Sequence, residues 1–327
     1  MLLNQLEKAI FTVTDSQFEQ LALEVFRHQS KHCEVFKQYL HFLKSDITKI
    51  NKLEEIPYLP IEFFKHFKIT TGHFLPEIVF ESSSTSGIGI SKHHVKSTSW
   101  YQTAFNKSFE FNIQKPELFC HLALLPSYLE RENSSLVFQI NEFIQKSNYK
   151  ESGFFLYNHQ ELAERIRQNE DHQIPTILWG VTYALINFSE AFHLELKHTQ
   201  IIETGGMKGK RKEIVRDELH ALLKSAFQLN AIGGEYGMTE LMSQAYSLSN
   251  GLYQCPPWMK ITTREINDPL TPINNYKNGV LNIIDLANLN SCAFIATSDI
   301  GKVHPNGQFE VLGRLDNSDT RGCNLLV

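Results

Sequence analysis

Apolar residues recur at helical spacing in the first fifty positions. Phe18, Leu21, Val25 and Phe26 share one face of a segment that Asp15 can cap, so residues 1–50 are expected to be helical. Pro57 and Pro60 then mark a loop. Beyond it the pattern alternates. Leu118–Leu125 and Thr176–Gly180 are short continuous apolar runs of the kind that form buried strands, and Val181–Phe192 reads as a helix after the second. Ile78–Phe80 reads as another strand, and Asn230–Gly234 leads into a loop at Glu235–Glu240. From Gly279 onward the spacing tightens. Val280–Leu286, Ser291–Thr297 and Gln308–Leu312 are close-set strands, and Pro305-Asn306-Gly307 makes a turn. The pattern predicts an α/β protein with layered sheets and helices. Its expected parts are a helical segment at 1–75 packed on the body, an α/β body at 76–278, a small β-rich subdomain at 279–316 and a tail at 317–327.

Composition narrows the classes of function. The chain has 327 residues and 42% hydrophobic content, enough to bury a full core in one large domain or two closely joined ones. Net charge is −5 with no charged tail, which gives no case for nucleic acid or an anionic membrane. No apolar stretch approaches the roughly 20 residues of a membrane span, and the N-terminus lacks the pattern of a signal peptide. The five cysteines, 33, 120, 255, 292 and 323, are odd in number and show no metal-binding spacing, so a reducing cytoplasm is expected.

Four stretches carry candidate chemistry, each with a plainer alternative. Ser82–Gly87 is a hydroxyl-rich loop after a strand, able to donate to phosphate oxygens or to be a surface loop. In Glu235–Glu240, Tyr236 can present a flat face to a base, while Thr239 and Glu240 offer oxygen ligands suited to Mg²⁺; the same residues could cap a helix start. Asp299 in Thr297–Gly301 can accept both hydroxyls of a ribose or close a turn. Arg314 in Gly313–Asp316 can clamp sugar or phosphate oxygens or join a solvated ion pair. Adjacent His93 and His94 on a strand would point to opposite faces, which argues against a shared metal. The 23 phenylalanines could line an acyl tunnel or be ordinary core.

In this order the four stretches resemble the adenylate-forming superfamily of acyl-CoA synthetases, luciferases and nonribosomal adenylation domains; Glu235–Glu240 is the most specific of them. The resemblance implies the large N-terminal domain of that fold and the use of ATP and Mg²⁺. It puts Ser83, Ser84, Thr85, Ser86 and Gly87 at the phosphates, and Gly205, Gly206 and Tyr236 at the adenine. Thr239 and Glu240 would meet phosphate and metal, and Asp299 the ribose, with Arg314 nearby. Ser84 and Ser298 stand where the family commonly has glycine. The usual C-terminal domain, with its catalytic lysine, is expected to be absent, because Arg321-Gly322-Cys323-Asn324 resembles the hinge and the chain ends at Val327. Mg²⁺ would supply part of that charge, and the cluster Lys208, Lys210, Arg211 and Lys212 could add to it, although it reads first as the solvated face of a helix running on to Leu223; Lys92 is a second candidate.

A short branch of the superfamily is similar in this respect: the acyl-protein synthetase of the bacterial bioluminescence fatty acid reductase, related to phenylacetate-CoA ligases. By that resemblance Cys323 would accept the acyl group as a thioester and pass it to an acyl reductase subunit or acyl carrier. The expected function is ATP-dependent activation of a carboxylic acid, a fatty acid first. The alternatives are a phenylacetate-type ligase using CoA and a non-catalytic adenylate-binding subunit.

Overall fold

A computed structural model describes residues 3–82, 89–126, 132–205, 216–266, 268, 270–273 and 277–315. The chain opens with α1 (Leu3–Ile10), α2 (Asp15–His32) and α3 (Glu34–Phe42). The apolar face of α2 is buried as its spacing predicts, with Phe18, Val25 and Phe26 inaccessible. Thr14, not Asp15, is its N-cap, and Gln17 closes the cap by accepting from the Thr14 amide at 3.2 Å. Next come β1 (Leu59–Pro60), α4 (Phe63–His66), β2 (Ile78–Glu81), β3 (Lys92–Val95) and α5 (Thr98–Asn112). The alternating body follows: β4 (Cys120–Leu124), α6 (Ser135–Lys146), β5 (Gly153–Phe154), α7 (His159–Asp171), β6 (Thr176–Gly180), α8 (Thr182–Ala191), β7 (Thr199–Glu203), α9 (Arg216–Phe227), β8 (Gly233–Tyr236) and β9 (Ala245–Ser247). Four strands finish the described chain: β10 (Met259–Arg264), β11 (Gly279–Asp285), β12 (Phe294–Val303) and β13 (Phe309–Arg314).

The strands form two main sheets. The larger has the order β5-β4-β6-β7-β8-β9, parallel except for β9. Its central strands β4 and β6 are buried at every position, because helices cover both faces. Successive side chains of these strands feed two separate cores. Leu122, Leu124 and Leu178 pack with residues of α7, α8 and α9, while Ala123, Ile177 and Trp179 pack with residues of α5 and α6. The second sheet has the order β1-β12-β11-β10, with β13 on the other part of the long β12. It therefore takes in residues 59–60 and 259–264 besides the strands expected after Gly279.

Phenylalanine is core material here. Tyr101, Phe105, Phe109, Phe143 and Trp179 are inaccessible or nearly so, and Phe109 and Phe143 have ring centroids 4.7 Å apart. His121 lies in the same layer and is fully used. The indole of Trp179 donates to its Nδ1 at 3.1 Å, and Nε2 lies 2.8 Å from the Pro116 carbonyl, which can only accept. That fixes a neutral tautomer, and burial holds its pKa down to about 4.

One long-range contact ties the N-terminal helices to this frame. Gln29 of α2 is inaccessible. Its amide donates to the carbonyls of Asn288, Leu289 and Ser291 and accepts from the Ala293 amide at 2.9 Å. The short 3-10 turn Leu286–Asn290 is thereby fastened to α2.

Two outcomes follow from these contacts. Gln29→Leu leaves several backbone groups buried without partners, so chemical denaturation should show a loss of about 3 kcal/mol. His121 takes up its proton near 6.5 in the unfolded chain but only near 4 in the native one, so its contribution is lost as pH falls through that window. Urea unfolding of the native protein should weaken between pH 6.5 and 4 by up to about 1.4 kcal/mol per unit from this residue, and the slope should be shallower in His121→Gln.

Candidate active site

The site begins where the two sheets meet. Tyr236 ends β8, and its hydroxyl donates to Asp299 Oδ2 on β12 at 2.8 Å. Asp299 lies opposite Arg314 of β13 in the strand register, with Nε 3.5 Å from Oδ1. Three residues from separate stretches of sequence thus come together as the sequence reading expected. The Tyr236 ring packs against Phe309 and Tyr253, with centroids 5.3 and 6.0 Å away. Tyr253 and Phe309 form a β-bridge across the seam. Gly234 leaves room for this packing, since a Cβ there would lie 2.6 Å from the Tyr253 hydroxyl. Burial and the neighbouring Asp299 carboxylate push the Tyr236 phenol well above its ordinary value, so it remains a donor.

Thr239 and Glu240 follow on an irregular turn. Neither helix nor loop alone describes Glu235–Glu240: Glu235 and Tyr236 belong to β8, and no helix follows Thr239 before β9. The turn is held by side chains from elsewhere. His93 of β3 has its Nδ1 2.9 Å from the Thr239 carbonyl. Asn288 donates to the Glu240 carbonyl at 2.7 Å and accepts from the Met242 amide at 2.9 Å. Asp285 accepts from the amides of Met242 and Ser243, the Ser243 hydroxyl and the Ala287 amide, at 2.8–3.1 Å. The Trp258 indole donates to the same Ser243 hydroxyl at 2.8 Å. Burial pushes the Asp285 carboxyl up to about 6, against four donors that pull it down.

The remaining expected residues fall as follows. Gly205 lies just after β7 with φ +72°, a conformation that favours glycine. Its amide donates to Glu203 Oε1 at 2.8 Å, and the Thr182 hydroxyl donates to the same oxygen. Gly206, the cluster Lys208–Lys212, the loop residues Ser83, Ser84, Thr85, Ser86 and Gly87, and Cys323 lie outside the described residues. Ser82 is at the base of that loop and exchanges hydrogen bonds with Ser91. The strand before the loop is present, but it belongs to a two-stranded antiparallel hairpin, β2–β3, and not to the parallel sheet. Lys92 on that hairpin is paired with Glu81 at 3.1 Å. The Ser298 hydroxyl is accepted by Glu62 at 3.0 Å, so the residue standing for the family's glycine has its own partner.

His93 is buried and His94 partly exposed, in keeping with opposite faces. Among the described residues no group of three or more metal-ligating side chains occurs. His304 is engaged with Glu310 at 2.6 Å. Cys33, Cys120, Cys255 and Cys292 are buried free thiols.

Sequence reasoning missed the residues that hold the turn: Asp285, Asn288 and, in this role, His93. No motif surrounds them, and their partners are more than forty positions away. It also passed over Glu235. The residue as a whole is partly exposed, and burial of its carboxyl together with Glu203 pushes the pKa up to about 8.

The chain is similar to known proteins. The family model for the acyl-protein synthetase LuxE matches residues 12–327. A long-chain-fatty-acid–luciferin-component ligase of Aliivibrio fischeri is 27% identical over 159 residues, which is 44% of this chain and 42% of that protein. The protein of the same name from Photorhabdus luminescens is 34% identical over 71 residues, 21% of this chain and 60% of that one. The matches thus span less than two thirds of either relative. Among solved structures, 2-hydroxyisobutyryl-CoA ligase in the postadenylation state with R3-HIB-AMP is similar, with a TM-score of 0.63 at 9% identity. The match covers 94% of this chain and 70% of that one, and at this identity the likeness is one of fold. No described helix is long and apolar enough to cross a membrane. With nearly its whole length matched by one family model, this chain belongs to the LuxE family of acyl-protein synthetases.

Proposed function

We propose that the chain activates a carboxylic acid, a fatty acid first, at the expense of ATP, and passes the acyl group to a thiol. The observation that carries this reading is the Tyr236–Asp299–Arg314 constellation at the sheet seam, close in sequence to a side-chain-held turn bearing Thr239 and Glu240. A carboxylate oxygen of the acid attacks the α-phosphorus of ATP, and the bond to pyrophosphate breaks. Such a step asks the protein for positioning and charge stabilisation more than for covalent chemistry.

Asp299 accepts the ribose hydroxyls, and Arg314 beside it reaches sugar or phosphate oxygens. Gly205, Gly206 and the Tyr236 ring border the adenine, and Ser83–Gly87 hold the phosphates. The oxygen-rich pair Thr239 and Glu240 fits Mg²⁺, with Glu240 as the ligand; the held backbone at carbonyls 239 and 240 supports this fit. Bound Mg²⁺ would neutralise charge on the phosphates. Cys323 is the first acceptor of the acyl group, for delivery to an acyl reductase subunit or acyl carrier, with coenzyme A as the alternative thiol. Four buried, unpaired cysteines support a reducing, cytoplasmic setting.

Incubation with ATP, Mg²⁺ and a panel of acids should release pyrophosphate only with an accepted acid, and removal of the metal with EDTA should stop it. The intact protein should gain the mass of one acyl group, and Cys323→Ser should abolish the gain. Acyl-CoA formation without protein acylation would point to a CoA ligase. ATP binding without pyrophosphate release would make the chain a binding subunit. Asp299→Ala should raise the KM for ATP at least tenfold, about 1.4 kcal/mol or more of lost binding, measured by pyrophosphate release.

A further inference from the structure

Glu235 stands apart from the other carboxyl groups around the site. Asp299 accepts from Tyr236 and faces Arg314, Asp285 accepts from four donors, and Glu203 accepts from Thr182 and Gly205. No hydrogen bond or ion pair to another described residue holds the Glu235 carboxyl. It lies against the turn that carries Thr239. Its Oε1 occupies the space over Gly237, closer than a Cβ there could tolerate. Between Ile232 and Ser247 the partly exposed positions are Glu235 and Gly237–Thr239; the rest are buried. Glu235 is thus partly exposed alongside Gly237–Thr239 of the turn assigned above to phosphate and metal, while Glu240 itself is buried.

We propose that Glu235 is the catalytic base of the acyl-transfer half-reaction, a role that rests on the function proposed above. Its carboxylate takes the proton of the attacking thiol as the sulfur electron pair forms the bond to the acyl carbonyl carbon. The bond between that carbon and the phosphate oxygen breaks, AMP leaves as the anion, and Glu235 later returns the proton to water. No oxidant or reductant is needed. The preceding adenylation step has no proton to move, because the acid attacks as its carboxylate.

The surroundings suit this role. The charged and titratable described groups that face the carboxyl are Glu203 on β7, Tyr101 on α5, Tyr246 on β9 and Tyr253 across the seam. None of these is a cation. Burial first and Glu203 second hold its proton up to about 8. A base with that proton affinity is well matched to a thiol, whose ordinary pKa is about 8.5. His304 and His94 do not share this setting: His304 is tied to Glu310, and His94 has its own pKa lowered by burial and by Lys68 and Lys92.

Glu235→Gln and Glu235→Asp of the full chain test the assignment. Straight-chain acids from octanoate to hexadecanoate are screened by pyrophosphate release. The most active one is then used with two acceptors: a thiol, read as thioester on the protein or on added coenzyme A, and hydroxylamine, an amine that attacks acyl-adenylate without a base and is read as hydroxamate. Glu235→Gln should lower thioester formation by about a hundredfold or more. Hydroxamate formation, and pyrophosphate release measured with hydroxylamine as acceptor, should change by less than about threefold, because neither needs the base. In the native chain thioester formation should rise with pH toward about 8 as the carboxyl ionises, and in Glu235→Gln the residual rate should instead follow the thiol's own ionisation at about 8.5. Glu235→Asp should keep part of the rate. Equal loss of thioester and hydroxamate in Glu235→Gln, or loss of neither, overturns the assignment. A native chain that releases no pyrophosphate with any acid overturns the parent reading and this one with it.

Discussion

The turn from Thr239 to Ser243 has no regular secondary structure, so its backbone groups must be satisfied from outside. Asp285 and Asn288 do this from the N-cap and the middle of one short 3-10 turn. The carboxylate of Asp285 gathers two amides, a hydroxyl and its own turn amide, and Asn288 bridges the Glu240 carbonyl and the Met242 amide. A buried carboxylate is costly unless its acceptors are filled, and here they are. The raised pKa of Asp285 measures what burial still costs after those bonds are made. Since that 3-10 turn is itself fastened by Gln29, the helical N-terminus supports the turn proposed to meet phosphate and metal.

The second constraint is the seam between the sheets. Tyr236 comes from the large parallel sheet, and Asp299 and Arg314 from the smaller one. The stacked Tyr253 and Phe309 hold the edges together, with centroids 5.4 Å apart. Neither sheet alone contains the constellation. A shift of one sheet against the other would separate the phenol from the carboxylate, so the aromatic packing at the seam serves the polar geometry directly. Glu235 and Tyr236 are neighbours in sequence but project to opposite faces of β8. One residue faces the seam, and the other lies with Tyr246, its partner across the β8–β9 pair.

Legibility in the sequence followed the range of each interaction. Thr176–Gly180 was readable as a strand because a fully buried strand is a continuous apolar run. Tyr236, Asp299 and Arg314 were readable because each sits in a short pattern whose order along the chain is informative. His93 was weighed only as a metal ligand, since nothing local indicates that it bonds a carbonyl 146 positions away. The strand before Ser82 was legible, but its pairing in a hairpin was not, because a short apolar run does not reveal its partner. The phenylalanines were ambiguous for a similar reason: burial in a core and lining of a tunnel demand the same side chains.

By itself the sequence determined the element types, the α/β class and the identity of the residues proposed to meet nucleotide, because periodicity and short motifs are local properties of the chain. Tertiary structure alone decided which carboxyls are occupied by donors among the described residues and which is not. Asp285, Asp299, Glu203 and Glu235 are alike as letters. Their difference lies in donors brought from distant strands and turns, and in how much water is excluded around each, and no local pattern encodes either.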